Sequence, residues 1–118
     1  LETGGVYYSA RQNAGLHPTV GFNENRSTSA NKIALQYGSG TATGESESAY
    51  IYFYNLGDSS NYSFVSWHSV GLNNDAYFVS AFGSGALPQA SQADGIRLLT
   101  NSNNYSDFKV SLYGIRYA

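Results

Sequence analysis

Apolar residues recur at every second position in short runs along this chain of 118 residues, and turn-forming residues separate the runs. In one run Val65 and Trp67 alternate with Phe64, Ser66 and His68. No window has the three- and four-residue spacing of an amphipathic helix, whereas alternation between stretches of Gly, Asn, Ser and Asp is typical of strands joined by turns. The pattern therefore predicts an all-β protein.

The runs predict about eight strands, a number that suits a single antiparallel two-sheet β-sandwich of jelly-roll-like form. The predicted strands are residues 6–11, 19–22, 32–37, 49–54, 63–69, 76–82, 95–100 and 108–116. The last two are expected to pair as a hairpin in the core, with Leu112 pointing inward. The single Trp, Trp67, is expected to be the largest core residue.

By length the chain is one domain. Residues 1–11 are predicted to be a lead-in strand and residues 12–118 the sandwich domain. Gly4 and Gly5 give this lead-in a pliant hinge, and Val6, Tyr7 and Tyr8 give it an adhesive strand that is expected to dock on a neighbouring subunit. The sequence has no Met, from which we expect a processed protein or part of a longer chain.

The predicted strand 49–54 has no polar face, because Tyr50, Tyr52 and Tyr54 alternate with Ile51 and Phe53. A sandwich has one core, so a strand that buries Ile51 and Phe53 turns its tyrosines outward unless a loop covers them. The sequence predicts that the three tyrosines contact another subunit or stack on a glycan. The alternative is cover by loops of the same chain.

Charge and composition narrow the range of partners. The formal net charge is −2 and charged residues make up only 12% of the chain, with the basic residues scattered among eight acids. Nucleic acid binding needs a clustered basic face, so we expect no nucleic acid partner. No apolar run is long enough to span a bilayer, so no membrane insertion is expected. Without Cys, the fold has neither disulfides nor thiolate metal sites.

No residue pattern predicts catalysis or a cofactor. Glu45 and Glu47 lie two apart on one side of an extended chain and would not flank a substrate bond. His17 and His68 share no metal-site spacing, and no Gly-x-Ser-x-Gly elbow is present. We therefore predict no enzyme and no catalytic, cofactor or metal residue. The N-glycosylation acceptor pattern occurs at Asn25, Asn61 and Asn104.

One ordered set of short motifs extends over residues 32–117. The C-terminal part has Gly95-Ile96-Arg97, a Ser/Asn-rich turn and Leu112-Tyr113-Gly114-Ile115; upstream lie Ile33-Ala34-Leu35, Gly44-Glu45, the run 51–55 and Val65-Ser66-Trp67. This order resembles a C-terminal β-sandwich domain of tailed-phage virion and tail-fibre proteins. The resemblance implies a structural setting rather than an active site.

The sequence and the resemblance together lead us to expect a non-enzymatic structural or attachment module, located in a virion or extracellularly. Its expected partners are copies of itself and surface glycans. Two alternatives stay open: a self-assembling extracellular filament subunit with N-terminal strand exchange, and a free carbohydrate-binding module. A virion module should form closed oligomers, a filament subunit should polymerise without limit, and a carbohydrate-binding module should stay small.

Overall fold

The computed structural model describes residues 4–17, 19–36, 38, 40–101 and 107–115. The structure is all-β and antiparallel, as the alternation predicts. Five strands form one sheet, with the spatial order β2-β1-β5-β4-β3. The strands are β1 (Tyr7–His17), β2 (Thr19–Ala30), β3 (Glu47–Tyr54), β4 (Ser63–Leu72) and β5 (Phe78–Leu87).

Three of the connections join neighbouring antiparallel strands, and the connection from β2 to β3 crosses the sheet. β5 returns to lie beside β1, so β1 is interior and pairs with β2 on one side and β5 on the other. Gln12, for example, lies opposite Glu24 in β2 and Phe82 in β5. β2 and β3 are consequently the two edges of the sheet.

The turn between β4 and β5 is organised by the side chain of Asn73, which is buried. Its Oδ1 accepts the backbone N–H groups of Asp75 at 3.0 Å and Tyr77 at 2.9 Å, in addition to the backbone bonds from Asn73 N–H to the Tyr77 carbonyl and from Ala76 N–H to the Asn73 carbonyl. Ala76 has a φ of 58° and so lies in the left-handed region. β5 therefore begins at Phe78, whereas the sequence predicted a start at Ala76.

The core lies against one face of the sheet, which we call the inner face. Its buried apolar side chains among the described residues are Val65, Trp67, Val79 and Ala81, so the prediction that Trp67 is a core residue is confirmed. Trp67 lies opposite Gly83, where an added Cβ would come within 2.7 Å of the indole Cζ2. The absence of a side chain on Gly83 gives the indole its space.

Residues 33–36 of the crossing connection cover part of the inner face. The carbonyl oxygen of Leu35 accepts a hydrogen bond from Trp67 Nε1 at 3.0 Å and a second from Ser69 Oγ at 3.1 Å. The Ile33 side chain lies over Gly85, where its Cδ1 is 2.6 Å from the position of an added Cβ. This segment is held by side-chain donors and packing rather than by a strand ladder.

The predicted strands 32–37, 95–100 and 108–116 are not strands in the described residues, and the second sheet and the eight strands are not shown. Tyr37 and Arg116 lie outside the described residues. Leu112 is 82% exposed, so the prediction that it points into the core is wrong. Alternation marks which side of an extended segment is apolar, but it names no hydrogen-bonding partner, and a segment without one does not become a strand.

Residues 7–11 are the first part of β1 and pair with β2 and β5 within the chain, with an irregularity in the β2 register between Tyr7 and Ser9; Ser9 lies opposite Ser27 in β2 and Gly85 in β5. Docking of this segment on a neighbouring subunit would require β1 to leave its own sheet, and it stays a prediction. β2 extends to Ala30, well beyond the predicted end at Phe22, because pairing with β1 overrides the weak strand preference of its polar second half.

Candidate interaction surface

The second face of the sheet, which we call the outer face, carries the alternate residues that point away from Trp67. Register pairs place one residue from each strand in the same row, so the face can be followed across the sheet from β2 to β3. Its exposed apolar and aromatic members are Tyr8, Phe22, Tyr50, Tyr52, Tyr54, Phe64, Val70, Phe78 and Phe82. Exposed apolar and aromatic side chains gathered on one face mark a candidate interaction surface.

The three tyrosines of β3 lie on this outer face and are exposed by 57% (Tyr50), 48% (Tyr52) and 46% (Tyr54). Ile51 and Phe53 are half-buried on the inner side. No described loop covers the tyrosines enough to bury them. The outward direction predicted from alternation is therefore the direction that the structure shows, whereas a contact with a subunit or a glycan stays a prediction.

The rings near Tyr50 are ordered by edge-to-face contacts. The Tyr50 ring meets the His68 ring at a centroid distance of 5.6 Å and an interplanar angle of 81°, and it meets the Tyr52 ring at 5.8 Å and 67°. Edge-to-face pairs of this kind are favourable because the positive ring edge faces the negative ring face. Tyr50 therefore links His68 of β4 to Tyr52 within the set Tyr50, Tyr52 and Tyr54, which we call the tyrosine strip.

Hydrogen bonds between neighbouring strands hold the polar groups of the outer face. His68 Nε2 lies 3.0 Å from Ser80 Oγ, and Tyr54 Oη lies 3.2 Å from Ser66 Oγ. His68 lies opposite Tyr50 in β3 and Phe82 in β5, which places an imidazole in the middle of an aromatic row. The face therefore offers both ring surfaces and hydrogen-bonding groups.

Two shallow depressions lie along this face. The first has a volume of about 540 Å³ and is lined by Tyr50, Tyr52, Tyr54, Ser66, Trp67, His68 and Phe82. The second, of about 820 Å³, extends from Tyr54 and Phe64 to Tyr8 and Arg26 at the β2 side. Both are lined by Tyr54 and Ser66, so the two depressions adjoin each other.

Charged groups are confined to one margin of the outer face. Following the register, Glu24 and Arg26 in β2 are its charged members among the described strand residues, and the rows through β5, β4 and β3 contain none. Charge-depleted centres with aromatic residues are characteristic of protein interfaces. A phosphate backbone would find no basic cluster here.

The other predicted contact and modification residues are spread over the molecule. Tyr8 is 48% exposed on the outer face, while Tyr7 and Val6 are half-buried. Asn25 is exposed in β2, and Asn61 is exposed in the loop after β3. Asn104 lies outside the described residues. The structure therefore joins Tyr8 to the tyrosine strip as part of one face, but it does not bring the two Asn residues to it.

The loop containing Asn61 is held by Asp58. Asp58 Oδ2 accepts a hydrogen bond from Asn61 Nδ2 at 2.7 Å, and Oδ1 accepts one from the backbone N–H of Ser60 at 2.7 Å. Both hydrogen bonds stabilise the carboxylate and hold the pKa of Asp58 below its usual value. The bond from the Asn61 side chain has the larger effect and the bond from the Ser60 N–H the smaller one. These bonds are those of an Asx turn.

Glu45, considered above with Glu47, closes a turn: its Oε2 accepts the backbone N–H of Ala42 at 2.7 Å. The part of the chain that the structure describes has no group of three or more His, Cys, Asp and Glu side chains able to hold a metal ion. Nor do the described residues include a helix long and apolar enough to cross a membrane.

The alternation of apolar residues places Phe64 and His68 on the side away from Trp67, but it does not connect them to the tyrosines and does not orient Phe82. The alternation of side chains along β4 was the sequence signal for Phe64 and His68. Phe82 joins the same row only through its register with His68, which depends on which strands are neighbours.

Comparison of the chain with protein-family models, with curated proteins and with solved structures finds no match. Nothing in these comparisons identifies a phage tail-fibre domain, and the similarity described above stays a resemblance of short motifs.

Proposed function

We propose that this protein is a non-enzymatic structural or attachment module that uses the outer face of its sheet to bind a partner, in the first place another copy of itself. The observation that carries the proposal is the uncovered aromatic outer face. A sheet with apolar residues on both faces is expected to be covered on both, and the described residues cover part of the inner face but leave the outer face exposed.

The amount of exposed surface supports an assembled state. The accessible surface is 8740 Å² for a chain of 12.7 kDa, whereas a compact monomer of that mass exposes about 6,200 Å². The excess of about 2,500 Å² in one chain is larger than the roughly 800 Å² that each partner contributes to a specific interface of standard size. Association through the outer face would remove part of this excess.

The chemistry of the outer face suits a protein partner. Aromatic side chains dominate the binding energy of protein interfaces, and Tyr combines a large apolar ring with a hydroxyl that can be satisfied across the contact. The centre of the face carries no charge that would have to be desolvated. His68, Ser66 and Ser80 provide polar groups for specificity.

A two-sheet jelly-roll-like sandwich remains part of the proposal. Residues 33–36 already lie against the inner face. In the assembled module the chain from 88 to 101 would complete a second layer over that face, so that the two layers together would have about eight strands. The setting we propose, a virion or extracellular assembly of tail-fibre type, follows from the motif resemblance and from the low charge of the surface.

Carbohydrate binding is the second candidate function, and the depression of about 540 Å³ favours it. Three tyrosine rings with neighbouring hydroxyl and imidazole groups can stack on a sugar ring and bond its hydroxyls. The filament alternative, with exchange of the N-terminal strand, would require opening of β1 on both of its sides.

Replacement of Tyr52 by Ser tests the proposal at the centre of the strip. The matched control is Tyr62→Ser, since Tyr62 is 50% exposed in the loop before β4 and lines neither depression. We expect Tyr52→Ser to weaken association or glycan binding by about 1 to 3 kcal/mol with a nearly unchanged monomer melting temperature. Analytical ultracentrifugation and glycan-array binding measure the two partners separately.

A large drop in monomer stability with unchanged association in Tyr52→Ser would show that the tyrosines belong to the protein's own fold. Equal losses in Tyr52→Ser and Tyr62→Ser would also contradict a localised contact. Negative-stain images of the purified protein would separate closed oligomers from unlimited filaments.

A further inference from the structure

The larger of the two depressions on the outer face extends across the sheet from β2 to β3. Arg26 in β2 lies opposite Ala10 in β1, and Ala10 lies opposite Ser84 in β5. The row continues to Ser66 in β4, and all four residues line this depression. Three of them have small side chains, which form a low floor. Because a sheet of five strands is about 19 Å wide at the usual strand spacing, the site is elongated.

Aromatic side chains of the next row form one wall of this depression. Tyr8 in β1 lies opposite Ala86 in β5, which lies opposite Phe64 in β4. Phe64 in turn lies opposite Tyr54 in β3. Tyr8, Phe64 and Tyr54, which we call the aromatic wall, are each nearly half exposed. Tyr54 Oη lies 3.2 Å from Ser66 Oγ, so a hydroxyl of the wall reaches the floor. Ring surfaces beside hydroxyl groups suit the apolar faces and the hydroxyls of sugars.

Arg26 is the one charged side chain among the described residues that line the two depressions. It is exposed, and its neighbour across β1 is Ala10, so no acid lies beside it in its own row. Glu24, two residues earlier in β2, lies opposite Gln12 in a different row and lines neither depression. A guanidinium at the end of a depression rich in hydroxyls is suited to a carboxylate, which it can bind with two parallel hydrogen bonds.

We propose that the larger depression binds a linear acidic oligosaccharide, with a uronate carboxylate on Arg26 and a sugar ring against the aromatic wall. The sugar hydroxyls would exchange hydrogen bonds with Ser66 and Ser84 on the floor. This inference rests on the proposed use of the outer face for attachment. It adds the class of glycan and a site centred on Arg26 and Phe64, whereas Tyr52 at the centre of the tyrosine strip lines only the smaller depression.

An acidic peptide fits this depression less well than a saccharide does. The three interior strands β1, β5 and β4 pair on both sides, so a peptide that lay across them would find no strand partner for its own N–H and C=O groups. A saccharide has hydroxyls along its whole length, and side-chain hydroxyls can bond to them. At the β2 side the depression supplies three more of these, Ser27, Thr28 and Ser29.

The probes are tetrasaccharides of β-1,4-glucuronate, β-1,4-mannuronate and α-1,4-galacturonate, each paired with the neutral tetrasaccharide of the same linkage and configuration. Microscale thermophoresis at a protein concentration where the chain is monomeric measures their affinities. We expect at least one uronate to bind about threefold or more tightly than its neutral counterpart. The difference should shrink as salt is added, because Arg26 is exposed to solvent. Equal affinities within every pair, or no binding of any probe at millimolar concentration, overturn the proposal.

Arg26→Gln should abolish the preference for the uronate and leave binding of the neutral tetrasaccharide unchanged. The matched control is Arg97→Gln, since Arg97 is exposed, lines neither depression and alters the net charge by the same amount. Arg26→Lys should retain part of the preference, because Lys keeps the charge but not the planar fork. The melting temperature should be unchanged in all three. A preference that survives Arg26→Gln, or that Arg97→Gln removes equally, overturns the proposal.

Phe64→Ala tests the aromatic wall separately from the charge. It should weaken binding of the uronate and of its neutral counterpart by the same factor, about threefold or more, because both stack a sugar ring on Phe64. The preference for the uronate should therefore stay. Unchanged affinity for both probes in Phe64→Ala would place the ligand elsewhere and overturn the proposal.

Self-association, measured by analytical ultracentrifugation, separates this inference from the proposed function. If no uronate binds while Tyr52→Ser weakens association, this inference fails and the proposed function stands. If the uronate preference depends on Arg26 while Tyr52→Ser leaves association unchanged, this inference stands and self-association through the tyrosine strip is contradicted. Weaker association of Arg26→Gln without any uronate binding would show that a second copy occupies the depression, which overturns this inference.

Discussion

The indole Nε1 of Trp67 donates a hydrogen bond of 3.0 Å to the carbonyl oxygen of Leu35, a residue 32 positions earlier in the chain. Ser69, two residues further along β4, donates to the same oxygen at 3.1 Å. This carbonyl therefore uses both of its lone pairs on side chains of the sheet, and the two bonds fasten the crossing connection to the inner face.

These two bonds predict a coupled loss of stability. Trp67→Phe and Ser69→Ala each leave the Leu35 carbonyl with one donor, whereas the double variant leaves a part-buried carbonyl without either. We expect the double variant to lose about 0.5 to 2 kcal/mol more than the sum of the single losses. Urea denaturation followed by circular dichroism measures all four proteins. Additive losses would mean that water readily replaces the missing donors.

Gly83 is predicted to be intolerant of any side chain. A Cβ there would lie 2.4 Å from the carbonyl oxygen of Ala10 and 2.7 Å from Trp67 Cζ2. Gly83→Ala should therefore cost about 1 to 3 kcal/mol and shift the fluorescence of Trp67. The matched control is Gly15→Ala in β1, where nothing lies within 4 Å of the added carbon. Equal melting temperatures for the two variants would contradict the close packing.

Leu112 is predicted to contribute little to the stability of the isolated chain, since it is 82% exposed. Leu112→Ala should change the free energy of unfolding by less than about 0.5 kcal/mol. Val65→Ala, which truncates a buried core residue, should cost about 1 to 3 kcal/mol. Denaturant titration at a concentration where the protein is monomeric is the measurement. A loss for Leu112→Ala of the Val65→Ala size would place Leu112 in the core after all.

The lowered pKa of Asp58 predicts a small dependence of the stability of its loop on pH. Its pKa is lowered in the folded protein by Asn61 and Ser60, so its contribution is fully present above the pKa of the unfolded chain and is lost as the pH falls through the lower folded value. NMR titration of the Asp58 carboxyl carbon should show the lowered pKa, and Asn61→Ala should raise it toward the usual value. An identical titration in both proteins would contradict the assigned cause.

The parity of β3 and β4 could be predicted from the sequence, because a strand places alternate side chains on opposite faces whatever its neighbours are. Tyr50, Tyr52 and Tyr54 are on the other face of the sheet from Ile51 and Phe53. Trp67 is likewise on the other face from His68, as the alternation indicates. The same reasoning was wrong for Leu112. Residues 108–115 alternate as well as β3 does, but the described part of the structure contains no strand there.

The sequence by itself determined the all-β class, the apolar and polar sides of the central strands, and the low charge of the surface, since each depends on residues near one another in the chain. Only the tertiary structure decided the order β2-β1-β5-β4-β3 and thus the assembly of Tyr50, His68 and Phe82 into one row. The physical reason is that strand hydrogen bonds join backbone groups, which are the same in every residue apart from Pro. The choice of neighbour therefore depends on packing across the whole sheet, which no local pattern contains.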